Sequence, residues 1–324
     1  MPGIPSIENT NGLYHKNTAS FAFQQSISSS TQRREKRGDE KTKMAVQSVV
    51  PAADINFNKF LTVFNSAYSD YFVPLQMEKD TMQRLIERDA IDMTASRVAL
   101  EDNEVVGVGM LAMRGKEGWI GGLGIIPSHR RRGIGRMLTQ NLLDTARQWG
   151  LAQVRLEVIE RNIAARTLYL DLGFEKVRRL LLLERKADEH DTTTTGIDST
   201  YHIETVASDE ALLHFEALHF SPNPWQRHHE ALKMLADSMD AWIAVRDETV
   251  KAYAVGWAIE SITRLMDIAG DVNAVRPLLM YIQTINPGAP TGIVNLPDDE
   301  PIAALMQEMN YEITETQWEM VYRF

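Results

Sequence analysis

The chain has 324 residues, of which 44% are hydrophobic, and a formal net charge of −10. This length suffices for one large or two ordinary domains with a real core. The chain has no cysteine, which excludes disulfides, thiolate metal sites and cysteine nucleophiles and fits a reducing, cytoplasmic location. No apolar run approaches the roughly 20 residues that span a bilayer, so no membrane partner is predicted.

Residues 1–47 are polar and rich in Ser, Thr, Gln and Asn, which is typical of a disordered extension. They contain no apolar stretch like that of a signal peptide, and Met44 is an alternative start. Residues 1–43 carry seven Lys or Arg and four Asp or Glu, which leaves a net charge of −13 for the remainder. A region this acidic disfavours nucleic acid as a partner and attracts cationic amines.

Hydrophobic spacing after the extension predicts four helices and five strands. The helices are predicted over 57–71, 77–86, 133–149 and 162–171, and the strands over 96–100, 105–113, 118–126, 153–158 and 174–185. Asp102 and Asn103 are predicted to form the turn between the first two strands. Strands joined by hairpins and followed by helices indicate a mixed α/β sheet, of the α+β type.

A basic glycine loop, Arg130-Arg-Arg-Gly-Ile-Gly135, lies between a predicted strand and a predicted helix. Glycine at a helix start allows close approach, and several main-chain N–H groups then point at one spot together with the positive end of the helix dipole. Such a loop is suited to hold a diphosphate. It is neither a Walker loop nor the dinucleotide fingerprint, because Leu138 stands where the third glycine of the fingerprint would be.

The pattern Arg-x-x-Gly-x-Gly after Pro127 resembles the acyl-CoA loop of the GCN5-related N-acetyltransferase (GNAT) superfamily. Further along, the sequence from Asn162 to Tyr169 resembles the family's Asn-x-x-Ala-x-x-Leu-Tyr helix, and Gly173-Phe174 its following turn. Order, spacing and residue types match from Pro127 to Phe174. The resemblance implies the acyl-CoA N-acyltransferase fold, with acetyl-CoA as co-substrate and no metal.

By the same resemblance, main-chain groups of the loop hold the diphosphate, and the backbone of Leu123, Gly124 and Ile125 pairs with the pantetheine arm. An amide of that strand could also bind the thioester oxygen, although plain core strand is a compatible alternative. The implied cofactor-binding residues are Leu123, Gly124, Ile125, Arg130, Arg131, Arg132, Gly133, Ile134, Gly135, Arg136, Asn162 and Tyr169.

Tyr169 matches the family's general acid, whose hydroxyl protonates the leaving thiolate. A buried tyrosine in a helix contact is the alternative. Asn162 would bind the cofactor arm, or else only cap the start of its helix, where asparagine is favoured.

The general base is less well defined by the sequence. Glu157 points away from its apolar strand neighbours, and the matching Glu is the base in ribosomal-protein N-terminal alanine acetyltransferases. Histone-type members use a Glu eleven residues before the loop, where this chain has Trp119. Glu117 shares the face of Trp119 and is the second candidate; proton transfer to water without a base is the third.

The sequence contains a weak internal repeat on the two sides of a polar stretch at 188–199: the segment from Arg97 to Gly107 resembles that from Trp242 to Ala252, at an offset of 145. A second pair of similar segments, later in each half, has an offset of 137. The second copy is therefore shorter by eight residues between the two matches, and this is where it lacks the glycine loop. Met306 stands where Tyr169 would fall. We therefore predict a GNAT acetyltransferase domain at 48–187, a linker at 188–199 and a degenerate GNAT-like C-terminal half at 200–324. An unrelated α/β domain is the alternative.

Together these features predict an N-acetyltransferase that moves acetyl from acetyl-CoA to a primary amine of a small molecule or peptide, by direct attack in a ternary complex. A non-catalytic acyl-CoA-binding sensor, whose C-terminal half binds a partner, is the alternative; Tyr169 and Glu157 favour the enzyme. A monomer or homodimer is expected. The acceptor stays open among aminoglycosides, polyamines, amino acids and protein N-termini.

Two further features bear on the substrates. Gly121, Gly122 and Gly124 could leave room for an acyl group other than acetyl, or could accommodate a close backbone. The segments Tyr71–Leu75 and Ser221–Trp225 occupy like places in the two halves, where this fold shapes its acceptor pocket; ordinary apolar loops are the alternative.

Overall fold

The computed structural model describes residues 48–72, 75–186 and 200–324, which form two compact units. The first holds the described residues up to Ile86 with Ile91–Arg114 and Ile120–Leu151; the second holds Glu87–Ala90, Gly115–Trp119 and the described part of Ala152–Phe324. The predicted extension (1–47) and linker (188–199) lie outside the described residues, and the domain boundaries stay a prediction. No helix in the described ranges is long and apolar enough to cross a membrane.

Apart from the strand at Ser48–Pro51, which was not predicted, the elements of the first unit follow the predicted order. They are β1 Ser48–Pro51, α1 Phe57–Tyr68, α2 Lys79–Arg88, β2 Arg97–Glu101, β3 Glu104–Arg114, β4 Glu117–Ile125 and α3 Ile134–Gln148, of which the end of α2 and the start of β4 belong to the second unit. The strand order is β1-β2-β3-β4. Asp102 and Asn103 turn the chain between β2 and β3 with φ of 50° and 63°, a region that Asp and Asn tolerate better than most residues.

Helix α2 begins later than its apolar spacing predicts. Met77 stays outside the helix because the Asn65 carboxamide exchanges two hydrogen bonds with its main chain, at 2.8 and 2.9 Å. Helix α1 ends at Tyr68, three residues before the predicted end. The other predicted elements of the N-terminal half are confirmed, with ends that differ by a residue or two.

Helices α1 and α3 cover opposite faces of β3. A Cβ at Gly109 would lie 2.8 Å from Leu142 of α3, whereas the side chain of the next residue, Met110, lies on the side of α1 with Phe64. Successive strand residues point to opposite faces, so the alternation in β3 divides the core between the two helices. Phe64 and Leu142 are both buried there.

The second unit contains a larger set of strands. Its elements are β5 Gln153–Ile159, α4 Ile163–Asp171, β6 Glu175–Arg185, β7 His202–Val206, α5 Ser208–Leu212, α6 Phe215–Leu218, α7 His229–Lys233, β8 Asp240–Arg246, β9 Thr249–Ile259, β10 Ile262–Gly270, α8 Val272–Ile285, β11 Thr291–Pro297, α9 Pro301–Glu308 and β12 Glu312–Arg323. The strand order is β5-β12-β6-β11-β10-β9-β8-β7. The final strand of the chain, β12, is antiparallel to both β5 and β6.

The order of elements repeats along the chain, which confirms the predicted duplication. Strand β10 has the bounds of β4 at an offset of 145 residues. The turn before it, Asp247-Glu248, repeats the left-handed conformation of Asp102-Asn103 with φ of 51° and 57°. Met306 lies in α9, the helix that corresponds to α4.

The two copies differ at the place where the glycine loop was predicted to be missing. Residues 126–133 separate β4 from α3, whereas Asp271 alone separates β10 from α8. The Asp271 carboxylate accepts a hydrogen bond from the Asn273 N–H at 2.8 Å and so caps its own helix. The C-terminal half thus closes the helix start that the N-terminal half leaves without a side-chain cap.

Candidate active site

The glycine loop presents main-chain donors at the start of α3. Gly133 is the N-cap residue, with φ of 82°, and has no side chain to cap the helix. The first hydrogen bond of the helix runs from the Met137 N–H to the Gly133 carbonyl, so the N–H groups of Ile134, Gly135 and Arg136 precede it and have no partner in the helix. Arg131 also has a positive φ, of 65°. This arrangement suits an anion such as a diphosphate.

The side chains of two loop arginines hold the loop in place. The Arg130 guanidinium donates to both Asp70 oxygens, at 2.7 and 2.8 Å, and to the carbonyls of Ala67 and Ile125, at 2.9 and 3.0 Å. These bonds from Arg130, against partial desolvation, keep the pKa of Asp70 below its usual value. Because the Arg130 side chain is engaged in these bonds, its predicted role in binding the cofactor would be carried out by its main-chain groups.

Arg132 is held in the same way by a carboxylate on β2. Its guanidinium donates to the two oxygens of Glu101 at 2.5 and 3.1 Å, and the His129 Nε2 lies 2.7 Å from the same carboxylate. Arg131, between the two arginines, is exposed. Two of the four predicted arginine ligands, Arg130 and Arg132, thus shape the loop with their side chains.

The predicted acyl end of the cofactor path carries an unexpected hydrogen bond. The Leu123 N–H donates to the Tyr68 hydroxyl at 3.0 Å. Strand β4 is paired in parallel with β5 at Trp119, and Leu123 lies four residues further along β4. A thioester oxygen that bound this N–H would have to replace the phenol oxygen.

The glycines of β4 accommodate helix α1. A Cβ on Gly124 would lie 2.7 Å from the Ala67 Cβ and 3.1 Å from the Tyr68 ring, and one on Gly122 would lie 2.7 Å from Met110. Side chains therefore fill the space beside both glycines. Neither explanation that the sequence leaves open is observed at these two glycines, because side chains rather than free space or a close backbone lie beside them.

Glu157, the first candidate base, lies on β5 between the buried residues Leu156 and Val158. Its Oε2 accepts hydrogen bonds from the Trp119 indole N–H at 2.7 Å and from Gln226 Nε2 at 3.4 Å, while its Oε1 is buried without a partner. Burial and the nearby carboxylate of Glu319 raise the pKa of Glu157 to about 8. A carboxylate with this pKa is suited to take a proton near neutral pH.

Glu117, the second candidate, is engaged by polar neighbours. Its two oxygens accept from Gln153 Nε2 at 2.6 Å and from Arg155 Nε at 3.4 Å. No salt bridge to Glu157 is found in the described parts of the chain. The choice between Glu157 and Glu117 as the general base stays a prediction.

The two candidates on α4 have clear structural contacts. Tyr169 is 7% exposed, and its ring meets that of Phe174 edge-on at 5.6 Å. Asn162 is the N-cap residue of α4, and its Oδ1 accepts from the Ala165 N–H at 3.2 Å. The capping alternative for Asn162 is observed; roles in cofactor binding and acid catalysis stay predictions for both residues.

The predicted site residues divide between the two units. Residues 123–125 and 130–136 lie in the first unit; Glu117, Glu157, Asn162 and Tyr169 lie in the second. In the described ranges, no group of three His, Cys, Asp or Glu side chains could hold a metal ion.

Sequence reasoning missed two residues at these positions. Tyr68 lies four residues after Phe64 on α1, so its spacing is that of an ordinary core residue. Gln226 is 69 residues from Glu157 in the chain, but it directly follows Ser221–Trp225, the segment predicted to shape an acceptor pocket. Of the other such segment, residues 73 and 74 lie outside the described residues.

Comparison with known proteins agrees with this geometry. Residues 60–174 match the model of the acetyltransferase (GNAT) family. A tandem GNAT protein from the clavulanic acid biosynthesis pathway superposes with a TM-score of 0.60 at 16% identity, over 85% of this chain and 98% of that one. The fold of this chain is therefore that of a tandem GNAT protein.

Curated relatives match parts of the N-terminal half. An aminoglycoside N(6')-acetyltransferase type 1 of Acinetobacter haemolyticus is 22% identical over 150 residues, which cover 44% of this chain and 99% of the relative. The ribosomal protein bS18 alanine N-acetyltransferase of Salmonella typhimurium is 41% identical over 54 residues, 17% of this chain and 36% of the relative.

The raised pKa of Glu157 predicts that Glu157→Gln stabilises the protein increasingly as pH rises. The folded state keeps the carboxyl proton up to about pH 8, whereas the unfolded state loses it near 4.5. Between these values the folded state binds more protons, so the wild-type free energy of unfolding falls by up to about 1.4 kcal/mol per pH unit. Urea unfolding at pH 5, 6.5 and 8 should show a widening gap between variant and wild type. A constant gap for Glu157→Gln across the three pH values would contradict the assignment.

Proposed function

We propose that the chain is an acyltransferase that transfers acetyl from acetyl-CoA to a primary amine of a small molecule or peptide. The match of residues 60–174 to the acetyltransferase (GNAT) family model and the similarity to named N-acetyltransferases support this. The transfer is a direct attack in a ternary complex. The observation that carries this proposal is the start of α3, where the N-cap residue Gly133 has a positive φ and no side-chain cap, so that main-chain N–H groups there are suited to hold the diphosphate of coenzyme A. Loop side chains then contribute shape and positive charge.

The chemistry assigns one step to each candidate residue. The amine nitrogen attacks the thioester carbon while Glu157 takes the amine proton, and the Leu123 N–H stabilises the oxyanion. The C–S bond then breaks, and Tyr169 gives its proton to the departing thiolate. Asn162 binds the cofactor arm, and the main chain of Leu123, Gly124 and Ile125 pairs with it.

The packing beside β4 supports acetyl as the acyl group. Ala67, Tyr68 and Met110 occupy the space that Gly122 and Gly124 leave, so little room exists there for a longer chain. Replacement of the Tyr68 oxygen by the thioester oxygen frees only a small volume. This favours the smallest acyl group.

The acceptor we propose is a cationic amine, and the location is the cytoplasm. Outside residues 1–43 the chain carries a net charge of −13, which attracts amines over long range. No cysteine is present to require an oxidising compartment. Relatives named for aminoglycoside and for ribosomal-protein alanine acetylation make kanamycin, spermidine and an alanine-initiated peptide a suitable first panel.

Gly133→Asp should weaken cofactor binding. The new carboxylate would lie at the start of α3, where it would repel the diphosphate. Calorimetry should show coenzyme A affinity reduced by about tenfold or more. Gly115→Asp is the matched control, because Gly115 also has a positive φ and no atom within 4 Å of its Cβ position. Equal affinity in wild type and Gly133→Asp would refute the proposed site.

Tyr169→Phe should lower kcat for thiol release from acetyl-CoA by about tenfold or more, since the leaving thiolate loses its proton donor. The KM for acetyl-CoA should change by less than about threefold, because the ring contact with Phe174 is kept. Tyr322→Phe, on the other side of Phe174, is the control and should keep full activity. Unchanged kcat in Tyr169→Phe would remove the residue from the mechanism. Coenzyme A binding by wild type without thiol release for any amine would identify a sensor instead.

A further inference from the structure

Three side-chain amides of the C-terminal half form a hydrogen-bonded chain that ends on Glu157. Gln317 Nε2 donates to Asn295 Oδ1 at 2.8 Å, Asn295 Nδ2 to Gln226 Oε1 at 3.1 Å, and Gln226 Nε2 to Glu157 Oε2 at 3.4 Å. The donors lie on β12, on β11 and in the turn Trp225–Arg227. Gln226, Asn295 and Gln317 are called the amide chain below.

The direction of the amide chain follows from the group at its end. Gln226 presents its NH₂ group to Glu157 and its oxygen to Asn295, which is the orientation that the ionised carboxylate requires because that form only accepts hydrogen bonds. The same constraint then orients Asn295 toward Gln317. Each amide that accepts a hydrogen bond becomes a better donor, so the remote members strengthen the bond to the carboxylate.

A buried ion pair anchors the amide chain to the strands. Arg227, next to Gln226, donates to the Asn295 carbonyl at 3.1 Å, and its Nη2 lies 2.6 Å from an Asp267 oxygen. Arg227 and Asp267 are both fully buried. Asn295 has φ of 56° at a register shift in β11, so its side chain leaves the regular alternation of the strand.

Trp225, which precedes Gln226, packs against Trp119, the second residue that donates a hydrogen bond to Glu157. The Trp225 ring stacks on Trp119 at 5.9 Å with 8° between the planes, and its indole N–H donates to the Asp89 carbonyl at 2.8 Å. Trp119 in turn donates to Glu157. Both hydrogen bonds on Oε2 therefore depend on the turn Trp225–Arg227, and they leave Oε1 as the oxygen without a partner.

The charged neighbours of Glu157 do not supply a counter-ion. Glu319 lies opposite it on β12 and is paired with Arg178 at 2.8 Å and Arg155 at 3.5 Å. Asp89 is paired with the arginine before it at 2.6 Å. In the part of the chain that is described, the ionised form of Glu157 is thus stabilised by neutral N–H donors alone.

We propose that the C-terminal half positions the general base: Gln226, Asn295 and Gln317 are positioning residues that orient the Glu157 carboxylate and favour its ionised form. The inference rests on the proposed function, in which Glu157 accepts the amine proton. The C-terminal half, which has no cofactor loop, would then take part in the reaction of the N-terminal half.

The test removes single donors and measures two pH midpoints. Gln226→Met and Gln317→Met keep the side-chain length but cannot donate. Gln283→Met is the matched control, because Gln283 donates to the Tyr311 hydroxyl at 3.0 Å elsewhere in the same half. One readout is the pH dependence of kcat/KM for thiol release from acetyl-CoA with the fastest amine of the panel; the other is the ¹³C NMR titration of the Glu157 carboxyl, assigned through Glu157→Gln.

Gln226→Met should raise both midpoints by about one pH unit, since a donor to the charged form is lost. Its kcat/KM should fall by up to about tenfold near pH 7 and approach the wild-type value above pH 9. Gln317→Met should shift both midpoints less in the same direction, and Gln283→Met should shift neither.

Each other outcome overturns the inference in a recognisable way. An equal loss of rate at every pH, with unshifted midpoints, would show a structural role only. A shifted carboxyl midpoint with an unshifted rate profile would show that Glu157 is not the base. Failure of the proposed function gives a different result, because the wild type would then release no thiol with any amine at any pH.

Discussion

The proposed chemistry depends on the main-chain N–H groups at the start of α3, where the N-cap residue Gly133 supplies no side-chain cap. They exist because Gly133 has no side chain and adopts a φ of 82°, which ends the loop without a capping oxygen. Much of the surrounding sequence keeps this arrangement in place. Arg130 ties the loop to the end of α1, and Arg132 ties it to Glu101 on β2. A loop fixed on both sides loses little freedom when an anion binds, which favours affinity.

The C-terminal half shows what the same fold becomes without that loop. Asp271 fills the helix start with its own carboxylate, so the copy gains a capped helix and loses an anion site. Its other unusual feature is the buried pair Arg227–Asp267. Buried ion pairs add little net stability compared with apolar packing. A pair that fixes the turn Trp225–Arg227 beside Glu157 is better explained by positioning than by stability.

Local patterns in the sequence were sufficient for most of the fold and for part of the site. Helical spacing and the Asp102-Asn103 turn predict elements that the structure contains, because short-range sterics and one-sided burial decide them. The start of α2 was wrong, since the Asn65 carboxamide binds Met77 across the intervening loop. The contacts of Glu157 with Gln226 could not be predicted either. They join residues 69 positions apart, and no spacing rule connects an amide in a turn to a carboxylate on a strand.

The central claim is that the N–H groups behind Gly133 bind the diphosphate of coenzyme A, and amide NMR tests it most directly. Titration of the ¹⁵N-labelled, deuterated chain with coenzyme A should move the Ile134, Gly135 and Arg136 amide signals strongly. The Asn273 amide, at the equivalent helix start in the C-terminal half, should stay unchanged because Asp271 already caps it. Unmoved signals at residues 134–136 at saturating coenzyme A would contradict the account.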